Sequence, residues 1–251
     1  MPASVSPTVA ASRPSLFTGR NSLLDRYFYF AMALLSAAAV VAGFSQTIDD
    51  RLLHAEIAPP RILWVHGVTF SAWILIFILQ SALVRSRKVK WHRTLGWAAA
   101  AIAVLMVPLG VMTGIRMVHF ETYSLHMAHR YAFLAVPFFD IGVFGLCMAL
   151  AVYWRKAPEF HRRLVFFATC GLLVAAFARM DHAYARQHNL SYVGVDLMLA
   201  LGVGRDLLVN RRIHIVYRIG VPLYYVAQLG VIYLAAVGPE WWVRIGRFIA
   251  G

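Results

Sequence analysis

The sequence predicts an all-α fold: a polytopic membrane helical bundle with seven transmembrane helices, six being the fallback count. Three observations predict it. The chain of 251 residues is 61% apolar, with a mean hydropathy of +0.66. Only 14% of it is charged, against roughly 25% in a soluble domain. From Ile62 to Trp97, 23 uncharged residues are followed by five basic ones in nine (Arg85, Arg87, Lys88, Lys90, Arg93), and a second uncharged run starts at Thr94. That pattern is a helical hairpin in a bilayer with its basic loop on the cytoplasmic side.

The remaining elements follow from this hairpin. Residues 1–26 are rich in Ser, Pro and Ala and read as a disordered cytoplasmic tail, not a cleaved signal peptide. A seven-helix transmembrane domain then occupies residues 27–238. Its first span, Tyr27 to Ile48, opens on four aromatic residues suited to the membrane interface. The second runs from Ile62 to Val84, the third from Thr94 to Ile115, the fourth from Tyr131 to Trp154 and the fifth from about Arg163 to Asp181.

The sixth span is decided by charge. Ser191 to Gly204 is short and contains Asp196, but placing a span from about Asn189 to Leu208 returns Arg205, Arg211, Arg212 and Arg218 to the inner side. Sixteen of the 24 Lys and Arg residues then lie inside, as the positive-inside rule requires. The seventh span is Ile213 to Val237, and residues 239–251 form an interfacial tail with Trp241 and Trp242 at headgroup level. The N-terminus is expected inside and the C-terminus outside.

Composition also bounds function. The net charge of +13 sits in short loops and orients helices, so nucleic acid is not the expected partner. The lipid bilayer is, with other membrane-protein subunits as the second kind of partner. Cys147 and Cys170 lie inside apolar runs and read as small buried side chains, not as a disulfide framework. Gly110 and Gly114 on the third span favour close helix packing within the chain.

Ionisable groups inside a bilayer are expensive and are functional candidates by default. At about 1.5 Å per residue, His66 lies roughly 6 Å in from the outer boundary, Asp140 roughly 14 Å and Asp196 roughly 8 Å. Arg179, Asp181 and His182 close the fifth span, and His126 and His129 precede the fourth. Imidazole binds zinc, copper, iron and haem iron, and carboxylates complete or orient such sites. His66, His129 and His182 are therefore candidate ligands of haem b or a transition metal, with Asp140 as a fourth ligand or orienter. The plainer alternative pairs Asp140 with Arg179 in a salt bridge. A second polar set, Gln80, Arg85, His92, Arg93, His161, Arg162, His214 and Arg218, marks the inner side. It suits a basic collar, a bis-histidine haem or an anionic headgroup. A two-haem relay is disfavoured, because His161 and His182 are separated by about 31 Å of helix.

Arg26-Tyr27-Phe28-Tyr29, Gly43-Phe44-Ser45, His66 with Trp73 and Gln80, His92-Arg93-x-Leu95-Gly96-Trp97, Pro137-Phe138-Phe139-Asp140, and Pro158-Glu159-x-His161-Arg162-Arg163-Leu164 with Arg179 form a recognisable pattern. It resembles a bacterial inner-membrane family of hypothetical multi-pass proteins over most of residues 25–180. Members often carry His-Lys-Arg-Leu-Met where this chain has His161 to Val165. The resemblance implies topology and polar positions, and places the chain in the bacterial inner membrane. His66-Gly67 with Trp73, and His92 with Leu95-Gly96, are also faintly similar to the histidine segments of b561-type cytochromes, which however pair histidines at two depths. The seven-span zinc hydrolases of the alkaline ceramidase type need His-x-x-x-His in the last span, where this chain has only His214. Two functions are expected on these grounds: a membrane redox or metal-site protein, or a non-catalytic subunit, scaffold or small-molecule permease.

Overall fold

The computed structural model describes residues 19–127, 130–180 and 191–251, all helical or connecting, with no strand among them. The helices are α1 (Gly19–Phe44), α2 (Ile62–Arg85), α3 (Val89–Tyr123), α4 (Ala135–Tyr153), α5 (Pro158–Leu172, with a further turn at Val174–Phe177), α6 (Ser191–Asn210), α7 (Ile215–Val237) and α8 (Glu240–Ala250). Six segments are long and apolar enough to cross a membrane: Leu23–Phe44, Ile62–Arg85, Val89–Tyr123, Arg130–Tyr153, Pro158–Phe177 and Ile215–Val237. This is a multi-pass membrane protein. α6 is 20 residues long but carries Asp196, Arg205 and Asp206, and stands outside that set of six.

The boundaries differ from the expected ones mostly at helix ends. α1 is already helical at Gly19, eight residues ahead of Tyr27. α3 continues to Tyr123, so His119 is a helical residue and not a loop one. Polar residues end an apolar run without ending a helix, because the backbone hydrogen bonds persist into the headgroup region. His126, ahead of the fourth span, has a left-handed backbone (φ 52°) and is not helical. Residues 239–251 are mostly the amphipathic helix α8. It docks on the short turn Arg130–Leu134, where the Trp242 indole donates to the Ala132 carbonyl at 2.9 Å.

The helices alternate in direction. One end of the bundle gathers the starts of α1, α3, α5 and α7 with the ends of α2, α4 and α6: Asp25 meets Arg162 and Arg205, Asp206 meets His214, and His161 meets Ala151. At the opposite end, α1 closes on the turn after α5, and that turn closes on the start of α6. Both closures depend on glycine. A Cβ on Gly43 would lie 2.2 Å from the Ala176 carbonyl oxygen, and one on Gly194 would lie 2.4 Å from the Phe177 ring. The core between the two ends is Trp73, Phe77, Met106, Phe144, Phe166, Phe167, Leu199 and Tyr217, all buried. Trp73 ties α2 to α5 through a hydrogen bond to Thr169 of 3.3 Å. Gly110 and Gly114 face Ile141 and Pro137 of α4, which is the packing within the chain that their spacing suggested.

Because the obstacle at Gly43 is backbone, it cannot rotate away. Gly43→Ala is expected to cost about 1–3 kcal/mol as an overpacking substitution. Gly142→Ala, whose Cβ would meet nothing within 4 Å, should leave stability unchanged or slightly improved. Thermal midpoints of the two variants in detergent, measured side by side, check this.

Candidate functional site

Three polar sets lie inside the bundle. The first is at the end where α1, α5 and α7 begin. Pro158 and Glu159 start α5, and the helical period then turns Arg163 inward while Arg162 stays half-exposed. Arg163 is 0% exposed and forms a two-pronged pair with Asp206 of α6: Nε donates to Oδ2 at 2.9 Å and Nη2 to Oδ1. Its Nη1 donates to the Glu159 carbonyl at 2.8 Å and carboxylate at 2.7 Å. Asp206, also 0% exposed, accepts further from Arg205 at 2.8 Å, Asn210 at 3.2 Å and the His214 amide at 3.1 Å. Arg205 reaches Asp25 of α1, which Arg162 also contacts at 3.3 Å. The Tyr29 ring lies against both Arg162 (5.4 Å) and Arg205 (5.7 Å). Three guanidinium groups thus meet three carboxylates.

This corrects the collar reading for part of the inner set. Arg162, Arg163 and Arg205 are consumed by carboxylates within the bundle and do not splay toward headgroups. Burying a charge is tolerable only when it is paired and hydrogen-bonded, and each of these is. The Arg85 guanidinium lies over the Tyr27 and Phe30 rings, at 5.2 and 4.5 Å. His214 precedes α7, outside the spanning helix, and its Nδ1 accepts from the Val216 amide at 3.3 Å. Burial first, and then the Arg163 guanidinium, hold its imidazole below the usual range.

The second set joins Gln80, His92 and His161, as expected. With its amide oriented to satisfy both partners, Gln80 donates to His92 Nδ1 at 2.6 Å and accepts from the Gly96 amide at 2.9 Å. The His161 Nδ1 lies 2.9 Å from the Ala151 carbonyl, which can only accept, so this nitrogen carries the proton. The two imidazoles meet edge to face at 6.2 Å.

The third set lies between α4, α6 and α7. Asp140 is 6% exposed and accepts from the Tyr192 hydroxyl at 3.2 Å. Asp196, one turn along α6, accepts from Gln228 of α7 at 2.9 Å. α6 and α7 run antiparallel, so Tyr192 and Tyr224 bracket the Asp196–Gln228 bond, and the Phe139 ring contacts both tyrosines. Among the described residues, the Tyr224 hydroxyl and the Gln228 amide oxygen are buried without a partner. Asp196 also lines a groove of about 410 Å³ between α6 and α7, walled by Val203, Val221, Pro222 and Tyr225.

The expected Asp140–Arg179 salt bridge is absent. The α5 helix is interrupted at Leu173, and its last turn ends at Phe177. Arg179 instead donates to the Ala175 carbonyl and lies over the Phe44 ring at 4.3 Å. Of the proposed cofactor ligands, His129 and His182 lie outside the described residues, as does Asp181. His66 is partly buried, stacks on Phe70 at 3.9 Å, and has a buried Nδ1 without a partner. Among the described residues, no three His, Cys, Asp or Glu side chains converge as metal ligands. Cys147 and Cys170 are both free and buried.

The sequence reading missed Asp25, Asp206, Tyr192, Tyr224 and Gln228. The available signal for Asp206 was its place next to Arg205 near the end of an otherwise apolar segment. Comparison with protein-family models, with curated proteins and with solved structures finds no match.

Removing one member of a buried pair strands the other. Arg163→Met is expected to cost about 3–5 kcal/mol, whereas Glu159→Gln at the exposed edge should cost about 1 kcal/mol or less. The double variant Arg163→Met/Asp206→Leu should recover much of the loss. Thermal unfolding of the three variants in one detergent measures the ordering.

Proposed function

We propose that this chain is a seven-span permease of the bacterial inner membrane, with its N-terminus inside, in which Asp140 and Asp196 take up a proton or a small cation. Three features support α6 as the remaining span. Its direction alternates with α5 and α7, its charges turn into the bundle, and a crossing there places most of the basic residues on one side.

The transport reading rests on one observation: two carboxylates sit among the helices with only neutral partners, a tyrosine and a glutamine. No cationic side chain balances either of them among the described residues. The chemistry open to such groups is exchange of a proton or coordination of a cation. The unpartnered Tyr224 hydroxyl and Gln228 oxygen supply the further polar atoms that a bound cation or water needs. The Arg163–Asp206 cluster closes the path at one end.

Flux into proteoliposomes tests this, with entrapped dyes for protons, sodium and potassium under an imposed diffusion potential. Wild-type protein is expected to raise one of the three fluxes about tenfold over protein-free vesicles. Asp140→Asn should abolish the increase, and Asp140→Glu should retain part of it. No flux above that of empty vesicles overturns the reading.

The unpartnered His66 Nδ1 favours a second reading, a metal or haem held near the other end of the bundle by His66 with His129, His182 and Asp140. An ultraviolet–visible spectrum with elemental analysis of the purified protein decides it. A Soret band that shifts on dithionite reduction and is lost in His66→Ala establishes haem, and stoichiometric metal without that band establishes a His/carboxylate site. The absence of both removes the reading.

A further inference from the structure

The three inner arginines nearest the core are neutralised by carboxylates. Two arginines at the opposite end of the bundle are not, and they share a cavity. Arg61 is the last residue before α2, and Arg116 lies on α3 two turns before its end. Both line a groove of about 370 Å³ between these helices, together with His119, Ser124, Met112 and Phe120. None of the residues lining it is acidic. Among the described residues, neither arginine enters an ion pair or a side-chain hydrogen bond, whereas the nearby Glu121 is already paired with Arg130.

The geometry follows from helical spacing. Met112, Arg116 and Phe120 succeed one another at intervals of four, and His119 is three residues from Arg116, so the basic and apolar members share one face of α3. The start of α2 faces them and adds the positive end of a 24-residue helix, although the Leu63 and Trp64 amides already donate to the Pro60 and Arg61 carbonyls. Positive charge therefore enters the groove from two guanidinium groups, an imidazole edge and a helix terminus.

We infer that this groove binds phosphate, presented as the headgroup of an anionic phospholipid. A guanidinium fork matches phosphate oxygens, and two of them opposite a helix start make a site for a single phosphodiester. The choice of lipid over free phosphate comes from what lies below the groove. Toward the membrane centre, α2 and α3 present Val65 and Val68, and Val104, Leu105 and Met112, all more than half exposed. That is a continuous apolar track for an acyl chain whose phosphate is held at Arg61 and Arg116. Trp64, 45% exposed beside Arg61, suits the headgroup boundary. The site depends neither on the transport reading nor on which face of the membrane it occupies.

The test is native mass spectrometry of the full chain in detergent, titrated separately with dioleoylphosphatidylglycerol, dioleoylglycerol and inorganic phosphate. Phosphatidylglycerol is expected to bind, and Arg61→Gln/Arg116→Gln to weaken that binding about tenfold or more. Each single variant should weaken it severalfold and remain interpretable if the double variant is unstable. Arg212→Gln removes the same charge between α6 and α7, at the other end, and should bind as wild type does. Equal binding of dioleoylglycerol overturns the phosphate assignment. Inorganic phosphate binding as tightly as the lipid overturns the lipid source and leaves a soluble phosphate. Equal weakening in Arg212→Gln reduces the effect to net charge and overturns the site.

Discussion

The pair between Arg163 and Asp206 is the constraint on which the rest of this bundle depends. Both groups are completely buried, and each would be intolerable there alone. Their two-pronged contact fixes the rotation of α5 relative to α6. Through Arg205 and Asp25 it also fixes α1, and through the His214 amide it fixes the start of α7. Four helices take their register from one carboxylate. Apolar side chains in a lipid environment provide little directional information of this kind, because lipid tails are as apolar as the helices. Polar contacts and close glycine approaches therefore carry the specificity, and this chain uses both, one at each end.

The two ends are built on opposite principles. Where α1, α5 and α7 begin, charges are internalised and matched three against three. At the other end the closest helix approaches are steric, Gly43 on Ala176 and Gly194 on Phe177; Glu121 pairs with Arg130, and the charges of Arg61 and Arg116 face outward into a groove. Between them lie carboxylates with neutral partners. An ionic layer at one end and close glycine approaches at the other thus flank an interior whose carboxylates have neutral partners. That asymmetry underlies the transport reading.

The polar sets also show how a residue's sequence context misleads about its role. Arg162 and Arg163 sit in a run that looks like a topology signal, and Arg162 remains near the surface. Arg163, one position on, is rotated by about 100° and is completely buried. Asp140 has a cation within reach by depth alone, in Arg179, but that arginine lies over the Phe44 ring and donates to the Ala175 carbonyl. Depth along a helix is read from sequence position. Azimuth is not, once a helix is interrupted.

Hydropathy is a local property, so the sequence by itself determined the class of protein, the existence of the helices and most of their bounds. α2 begins at Ile62 as read, and α6 spans nearly the segment inferred from the distribution of arginines. The collection of Gln80, His92 and His161 was also legible, because all three sit where helices end on the same side. Only the tertiary structure decided the partners. Asp206 meets a residue 43 positions away and Asp25 one 180 positions away. Nothing in the neighbourhood of any of these residues encodes those distances. Whether a buried charge is neutralised, shared or left with a tyrosine depends on which helix faces it, and the packing of the whole bundle sets that.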